Sequence, residues 1–245
     1  MPELVARIAA LKTACESTPG VTSLVVYGST TSAAAGRRDE WSDLDFTVFL
    51  ARDAASEVQR NWDFLPDRER LVLTAREGDN GGVAVYDDGL LCEFGAGEPW
   101  VIRDPDREVL LDGGDLVTAA PPPLPDPLDQ LGLFLVKTAI GVGRVRRGER
   151  VAGNAHIRVY ALTALCEALR QRLAPDAARN PFDPLRRLEQ ALPTLAVQIG
   201  DLLDSDVEAC ARGLIELARI ELEPGWDEFP SRAFDVIEQT LGWSA

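Results

Sequence analysis

The sequence predicts an α+β protein, in which short strands alternate with helices through the first half and the second half is all-helical. Three observations carry that prediction. Apolar runs of strand length are bounded by turn or loop residues near Gly28, ahead of Asp43 and around Asp88-Gly89. Composition changes abruptly once, at "AAPPPLPDP" (119–127). Beyond that point apolar residues recur at helical spacing. Proline continues neither a helix nor a central strand, so the boundary is placed there. This divides the chain into a first domain over 1–120, a Pro-rich linker over 121–127 and a helical domain over 128–245.

Each element has its own local warrant. Leu4, Ile8, Leu11 and Cys15 recur at helical spacing, so "MPELVARIAALKTACES" reads as a first helix over about 2–17. It lacks the basic start and continuous apolar stretch of a signal peptide. The strand "TSLVVY" runs into Gly28, and a Gly/Ala/Arg loop leads to the strand "DLDFTVFL". "GGVAVYDDGLLCEF" reads as a hairpin, because Asp88-Gly89 suits the positive φ angles of a tight turn. In the second half Leu128, Leu131, Leu135, Val142 and Val145 line one face of a helix over 128–145. The stretch from about 155 to 173 is apolar nearly all round, as in a buried central helix. "DPLRRLEQAL", "DSDVEACARGLIELARIEL" and "SRAFDVIEQTLGW" supply further helices with Asp or Ser at their starts.

The 245 residues carry 25 basic and 40 acidic side chains, a net charge of −15. That balance disfavours nucleic acid as a partner, because phosphate backbones attract basic surfaces. It suits small or cationic partners. No apolar run approaches the roughly 18 residues of a membrane span, so no membrane partner is expected. Cys15, Cys92, Cys166 and Cys210 lie far apart with no C-x-x-C pair, which reads as buried thiols in a reduced, cytoplasmic protein.

The carboxylates of "DLDFTVFL" carry the chemistry. Alternate strand residues face opposite ways, so Leu44, Phe46, Val48 and Leu50 form one face while Asp43, Asp45 and Thr47 share the other. Two adjacent carboxylates repel unless a cation neutralises them. Magnesium suits that task, being held by one or two carboxylates together with substrate phosphates. In "LLCEF", Glu93 alternates away from Leu90, Cys92 and Phe94. If its strand lies beside the Asp strand, three carboxylates can hold two Mg²⁺ ions about 3.5–4 Å apart, as phosphoryl chemistry uses. Gly28 lets the backbone approach a ligand, Ser29 adds a hydroxyl, and the residues after them could begin a helix whose N–H groups face an anion. A nucleoside triphosphate would lie between these donors and the metals. D-x-D alone is common on solvated strand ends, and Gly-Ser is weaker still. The combination is what argues for a site.

"YGS", "SDLDF" and the acid of "LLCEF" together resemble the nucleotidyltransferase superfamily with a polymerase-β-type palm. That resemblance implies a mixed sheet with flanking helices, metal-dependent use of ATP or another NTP, and Asp43, Asp45 and Glu93 as the acidic triad. The order "YGS", "SDLDFTVFL", "NWDFL", "VAVYDDGLLCEF" and "VRRGER" is similar to the larger lincosamide nucleotidyltransferases and, more loosely, to aminoglycoside adenylyltransferases. It implies a catalytic first domain, a helical substrate-binding domain, and transfer of AMP to a hydroxyl of a small antibiotic. Related enzymes often pair subunits so that a neighbour completes the site, and a homodimer is compatible with the resemblance.

Further residues have two readings each. Lys137, Arg144 and Arg147 lie opposite the Leu/Val face of their helix, where they either reach phosphates or complement the helix C-terminus; Lys137 is the best nucleotide-binding candidate. Arg37 and Arg38 either cover the nucleotide or sit in a solvated loop. His156, the only histidine, is a base or is simply packed. Glu93 could also accept the acceptor's proton, with Glu149 and Glu167 as weaker options. Asp87 and Asp88 belong to the turn. Trp62 and Trp100 stack on a ring or pack in the core. Two other functions compete: transfer to a protein or an RNA end, and a catalytically silent nucleotide-binding module.

Overall fold

The computed structural model describes residues 2–178, 180 and 182–243, and the chain divides into two compact units, Met1–Pro122 and Pro123–Ala245. The first unit begins with α1 (Pro2–Ser17), β1 (Val21–Tyr27), two short 3₁₀ turns (Gly28–Thr30 and Ser32–Arg37), β2 (Leu44–Leu50) and α2 (Ala55–Asn61). There follow β3 (Leu71–Glu77), β4 (Gly81–Tyr86), β5 (Leu91–Gly97), β6 (Val101–Ile102), β7 (Arg107–Leu111) and β8 (Val117–Thr118). The main sheet has the order β3-β4-β5-β2-β1-β7, and β6 pairs with β8 separately. Only the β2–β5 pairing in the main sheet is parallel, so the sheet is mixed.

The alternation of β2 decides what each sheet face holds. Leu44, Phe46, Val48 and Leu50 turn into a core with Leu11 and Cys15 of α1 and Val58 of α2. Phe46 and Phe94 stack within it at 5.3 Å between ring centroids, and Trp62 packs edge-on to Phe94. The opposite face changes character along the strand. Asp43 and Asp45 stand at its start, whereas Phe49 lies near its end among Val25, Ile102 and Trp100. One end of that face is therefore sealed by a small apolar cluster, and the other end carries carboxylates.

The β4–β5 hairpin differs in detail from a two-residue turn with both central φ angles positive. Only Gly89 adopts the left-handed region, at φ +85°, and the turn closes through Tyr86 N–H to Leu90 and Gly89 N–H to Tyr86. The Asp88 side chain accepts from the Leu90 N–H and takes ion pairs from Arg7 and Arg70, so turn chemistry accounts for it.

The second unit contains α3 (Pro127–Arg146), α4 (Arg150–Ala155), a π-helical turn (His156–Ala161), α5 (Leu162–Leu173), α6 (Leu188–Ala191), α7 (Pro193–Leu203), α8 (Val207–Leu222) and α9 (Ser231–Leu241). Asp126 caps α3 by accepting from Leu128 N–H, and Asp206 caps α8 by accepting from Glu208 and Ala209 N–H. Three expectations are corrected. Leu128 is exposed in the first turn of α3, and Phe134 takes its place in the core. The helix expected over "DPLRRLEQAL" shrinks to Leu188–Ala191: Asp183 ties up Leu185 N–H in a local turn, and Arg187 adopts φ +60°. The central helix is present, but its turn over His156–Ala161 is π-helical, which periodicity does not register. No described helix is long and apolar enough to cross a membrane.

Candidate functional site

The parallel pairing of β2 with β5 sets Asp45 directly opposite Glu93, with Leu44 opposite Cys92 and Phe46 opposite Phe94. Register partners in neighbouring strands point to the same sheet face, so the two carboxylates adjoin. Asp43, two residues earlier, precedes them on that face. Asp43 and Asp45 are half-buried and Glu93 is exposed. Among the described residues, no group of three or more His, Cys, Asp or Glu closes tightly enough to hold a metal ion. The three acids share one face of the sheet. Their chemistry nevertheless fits magnesium, a hard cation that takes oxygen ligands. Neither Asp43 nor Glu93 is ion-paired with a described residue.

The Gly28-Ser29 turn is tied to the carboxylates by the next residue. Buried Thr30 accepts the Asp45 N–H at its Oγ1 (3.2 Å), and the same hydroxyl donates to the Asp43 carbonyl (3.4 Å). Thr31 Oγ1 donates to the Gly28 carbonyl at 2.9 Å, and Gly28 N–H donates to the Asp106 carbonyl at 2.9 Å. Gly28 has φ +54°, and nothing lies within 4 Å of where a Cβ would stand. Glycine is needed there for backbone conformation, and the space above it is open. Ser29 Oγ has no hydrogen-bond partner among the described residues. The α-helix expected after Ser29 is replaced by the two 3₁₀ turns, so no helix dipole faces this point. Any anion here would be met by individual donors.

Tyr27, the last residue of β1, borders the same face. Its Oη lies 3.2 Å from Thr47 Oγ1. Burial first, then the charges of Asp45 and Asp104, push the phenol above its usual range, so Tyr27 stays protonated. Sequence reasoning passed over Tyr27 and Thr30, although both flank the Gly-Ser pair. It considered Arg38 only as a cover or a solvated side chain. The structure instead folds the Arg38 guanidinium onto the loop itself: Nε donates to the Ser29 carbonyl at 2.8 Å, and Nη2 donates to the carbonyls of Thr30 (2.9 Å) and Thr31 (3.0 Å). Arg37 pairs with Asp106 at 2.9 Å.

The structure therefore brings Gly28, Ser29, Asp43, Asp45 and Glu93 together at one end of a sheet. Lys137 belongs to the second unit, half-buried, with its ammonium 5.8 Å from the centroid of the Tyr160 ring. His156 Nδ1 lies 3.1 Å from the Ala152 carbonyl and its ring meets Tyr160 edge-on, a packed environment. Glu149 pairs with Arg147, and buried Glu167 accepts from Gln171. Trp62 is core, and Trp100 packs edge-on to Phe49 at 4.8 Å while lying over Gly95.

No family model matches the chain, and no curated protein matches it. Among solved structures it is similar to an aminoglycoside 6-adenyltransferase from Bacillus subtilis, with 10% identity and a TM-score of 0.37 over 98% of this chain and 91% of that one.

Proposed function

We propose that this protein is a cytoplasmic, metal-dependent nucleotidyltransferase that moves AMP, or another NMP, from an NTP to a hydroxyl of a small molecule and releases pyrophosphate. The observation that carries the reading is the Asp45–Glu93 register pair beside Asp43, tied by Thr30 to the open Gly28-Ser29 turn. A lincosamide or an aminoglycoside is the proposed acceptor class, from the resemblance of the sequence motifs. Both carry amines, which an acidic surface favours.

Asp43, Asp45 and Glu93 would hold Mg²⁺ through oxygen, and that ion supplies charge neutralisation at the α-phosphate. The chain's own groups do the rest. The Ser29 hydroxyl and the Ser29 N–H donate to phosphate oxygens, fixing the triphosphate at the turn. The acceptor oxygen attacks the α-phosphorus in line; the new P–O bond forms as the α–β bridging bond breaks, and pyrophosphate leaves with that electron pair. Glu93 is the proposed acceptor of the hydroxyl proton, a reading its exposure supports.

The test is pyrophosphate release with Mg²⁺ and each NTP, with lincosamides, aminoglycosides or no acceptor present. Release that requires one drug class supports the reading and names the acceptor. Release only when a protein or an RNA is added would replace it with macromolecular transfer. Binding of NTP without release under any condition would point to a silent module.

A further inference from the structure

The Arg38 guanidinium takes no part in the reaction proposed above, yet it is unusually committed. It donates to three successive carbonyls, those of Ser29, Thr30 and Thr31. In a chain with 40 acidic side chains, Arg38 has no carboxylate partner among the described residues. An arginine that forgoes ion pairing to bind backbone does so where its planar fork matches a fixed set of acceptors.

Peptide geometry turns that contact into a consequence for the site. In a trans peptide the N–H points opposite to the C=O of the preceding residue. Gathering the Ser29 carbonyl on the guanidinium therefore turns the Thr30 N–H to the inner side, where the 3₁₀ turn over Gly28–Thr30 uses it. The Thr31 N–H is used internally by the Gly28 carbonyl (3.3 Å), and the Ser32 N–H is taken by the Glu108 carboxylate. The Thr30 hydroxyl of the same turn grips the backbone of Asp43 and Asp45. One cation thus fixes the turn that presents the Ser29 N–H and hydroxyl, and Thr30 sets the register of that turn against the carboxylates. The guanidinium also neutralises carbonyl oxygens whose dipoles would oppose an anion on the turn.

We propose that Arg38 is a positioning residue that holds the Gly28–Thr31 turn in its phosphate-accepting form, and not a lid over the nucleotide. Its effect on NTP use rests on the function proposed above; its grip on the turn does not.

The experiment compares wild type with Arg38→Lys, Arg38→Ala and Thr30→Val in two measurements. Amide hydrogen exchange without ligand reads the turn directly, and steady-state pyrophosphate release reads KM for the NTP separately from kcat. The expected result is exchange over residues 28–32 accelerated about tenfold or more in both Arg38 variants, with β1 and β2 unchanged. KM for the NTP is expected to rise about 10–100-fold in both, because a single ammonium cannot span three carbonyls. Thr30→Val should act in the same direction. Unchanged exchange in Arg38→Ala overturns the proposal. So does near-wild-type KM in Arg38→Lys beside a large loss in Arg38→Ala, since that pattern marks a direct charge contact with the nucleotide. Accelerated exchange together with no turnover by wild type on any NTP supports the positioning role while overturning the nucleotide reading.

Discussion

Gly82 shows how much one missing side chain can decide. A Cβ there would stand 2.7 Å from the Phe94 ring and 2.8 Å from Trp62, inside the aromatic cluster beneath β5. Gly82→Ala should destabilise the protein by about 1–3 kcal/mol through overpacking, seen as a shift of the urea midpoint at unchanged slope. Gly28 is the contrasting case, because it has room for a Cβ but a positive φ. Gly28→Asn should therefore leave the thermal midpoint nearly unchanged, whereas Gly28→Val should lower it by the equivalent of about 1–2 kcal/mol. Among the acids, Asp45→Asn is expected to reduce pyrophosphate release by more than about 100-fold, beyond the loss from an outer-shell partner, with the circular dichroism spectrum retained. Full activity in that variant would remove Asp45 from the proposed triad. Strand alternation sets Asp43 and Asp45 on one face and turns Glu93 away from its apolar neighbours, and only the combination with Gly28-Ser29 singled the three acids out. Arg38 could not be found this way, because a guanidinium that closes a loop onto carbonyls leaves no periodic trace in the sequence.

At the scale of elements, α1 is fastened to the sheet by a buried cation. Arg7 is 5% exposed, lies 4.1 Å over the Tyr86 ring, and pairs with Asp67 and Asp88. Arg7→Ala should cost about 2–3 kcal/mol by denaturant unfolding. That is below the full penalty for a broken buried pair, since both carboxylates keep partial access to water. The thiols report on the same packing. Burial first, with Glu16 adding, pushes Cys15 up to about 12, and burial likewise raises Cys92 and Cys166 to about 12. Each is therefore bound to its proton more tightly when folded. The associated stability is complete below the unfolded value near 9 and is lost as pH climbs through 12. Thermal midpoints should fall across that window. At pH 8 a thiol reagent should label none of the four buried cysteines in the native protein, and all four after denaturation. At this scale β1, β2, β4 and β5 were readable from apolar runs and alternation, and α8 from its Asp-rich start; β3 and β7, which complete the sheet, were not, and Asp126, which caps α3, falls in the stretch read as linker. The π turn and the short α6 were not readable either, because packing and local Asx turns override periodicity.

Across the whole molecule, each unit encloses its own core. One cluster runs from Leu131 to Leu241, and the others lie between Leu4 and Ile102. A fragment over 123–245 is expected to fold alone, giving a helical far-ultraviolet spectrum and a cooperative melt; a non-cooperative melt would show that its core depends on the first unit.

The sequence by itself determined the α+β order, the pairing of Asp43 with Asp45 on one strand face, and Glu93 as a candidate third acid, because a period of two is a property of any extended chain. Only the tertiary structure decided that β5 lies parallel beside β2 with Glu93 at the level of Asp45. It alone also decided that Thr30 and Arg38 hold the Gly-Ser turn against that pair. Strand order and loop closure are set by contacts between residues distant in the chain, chosen by how apolar faces bury and by which carbonyls lack partners. Those preferences act only once the chain has folded.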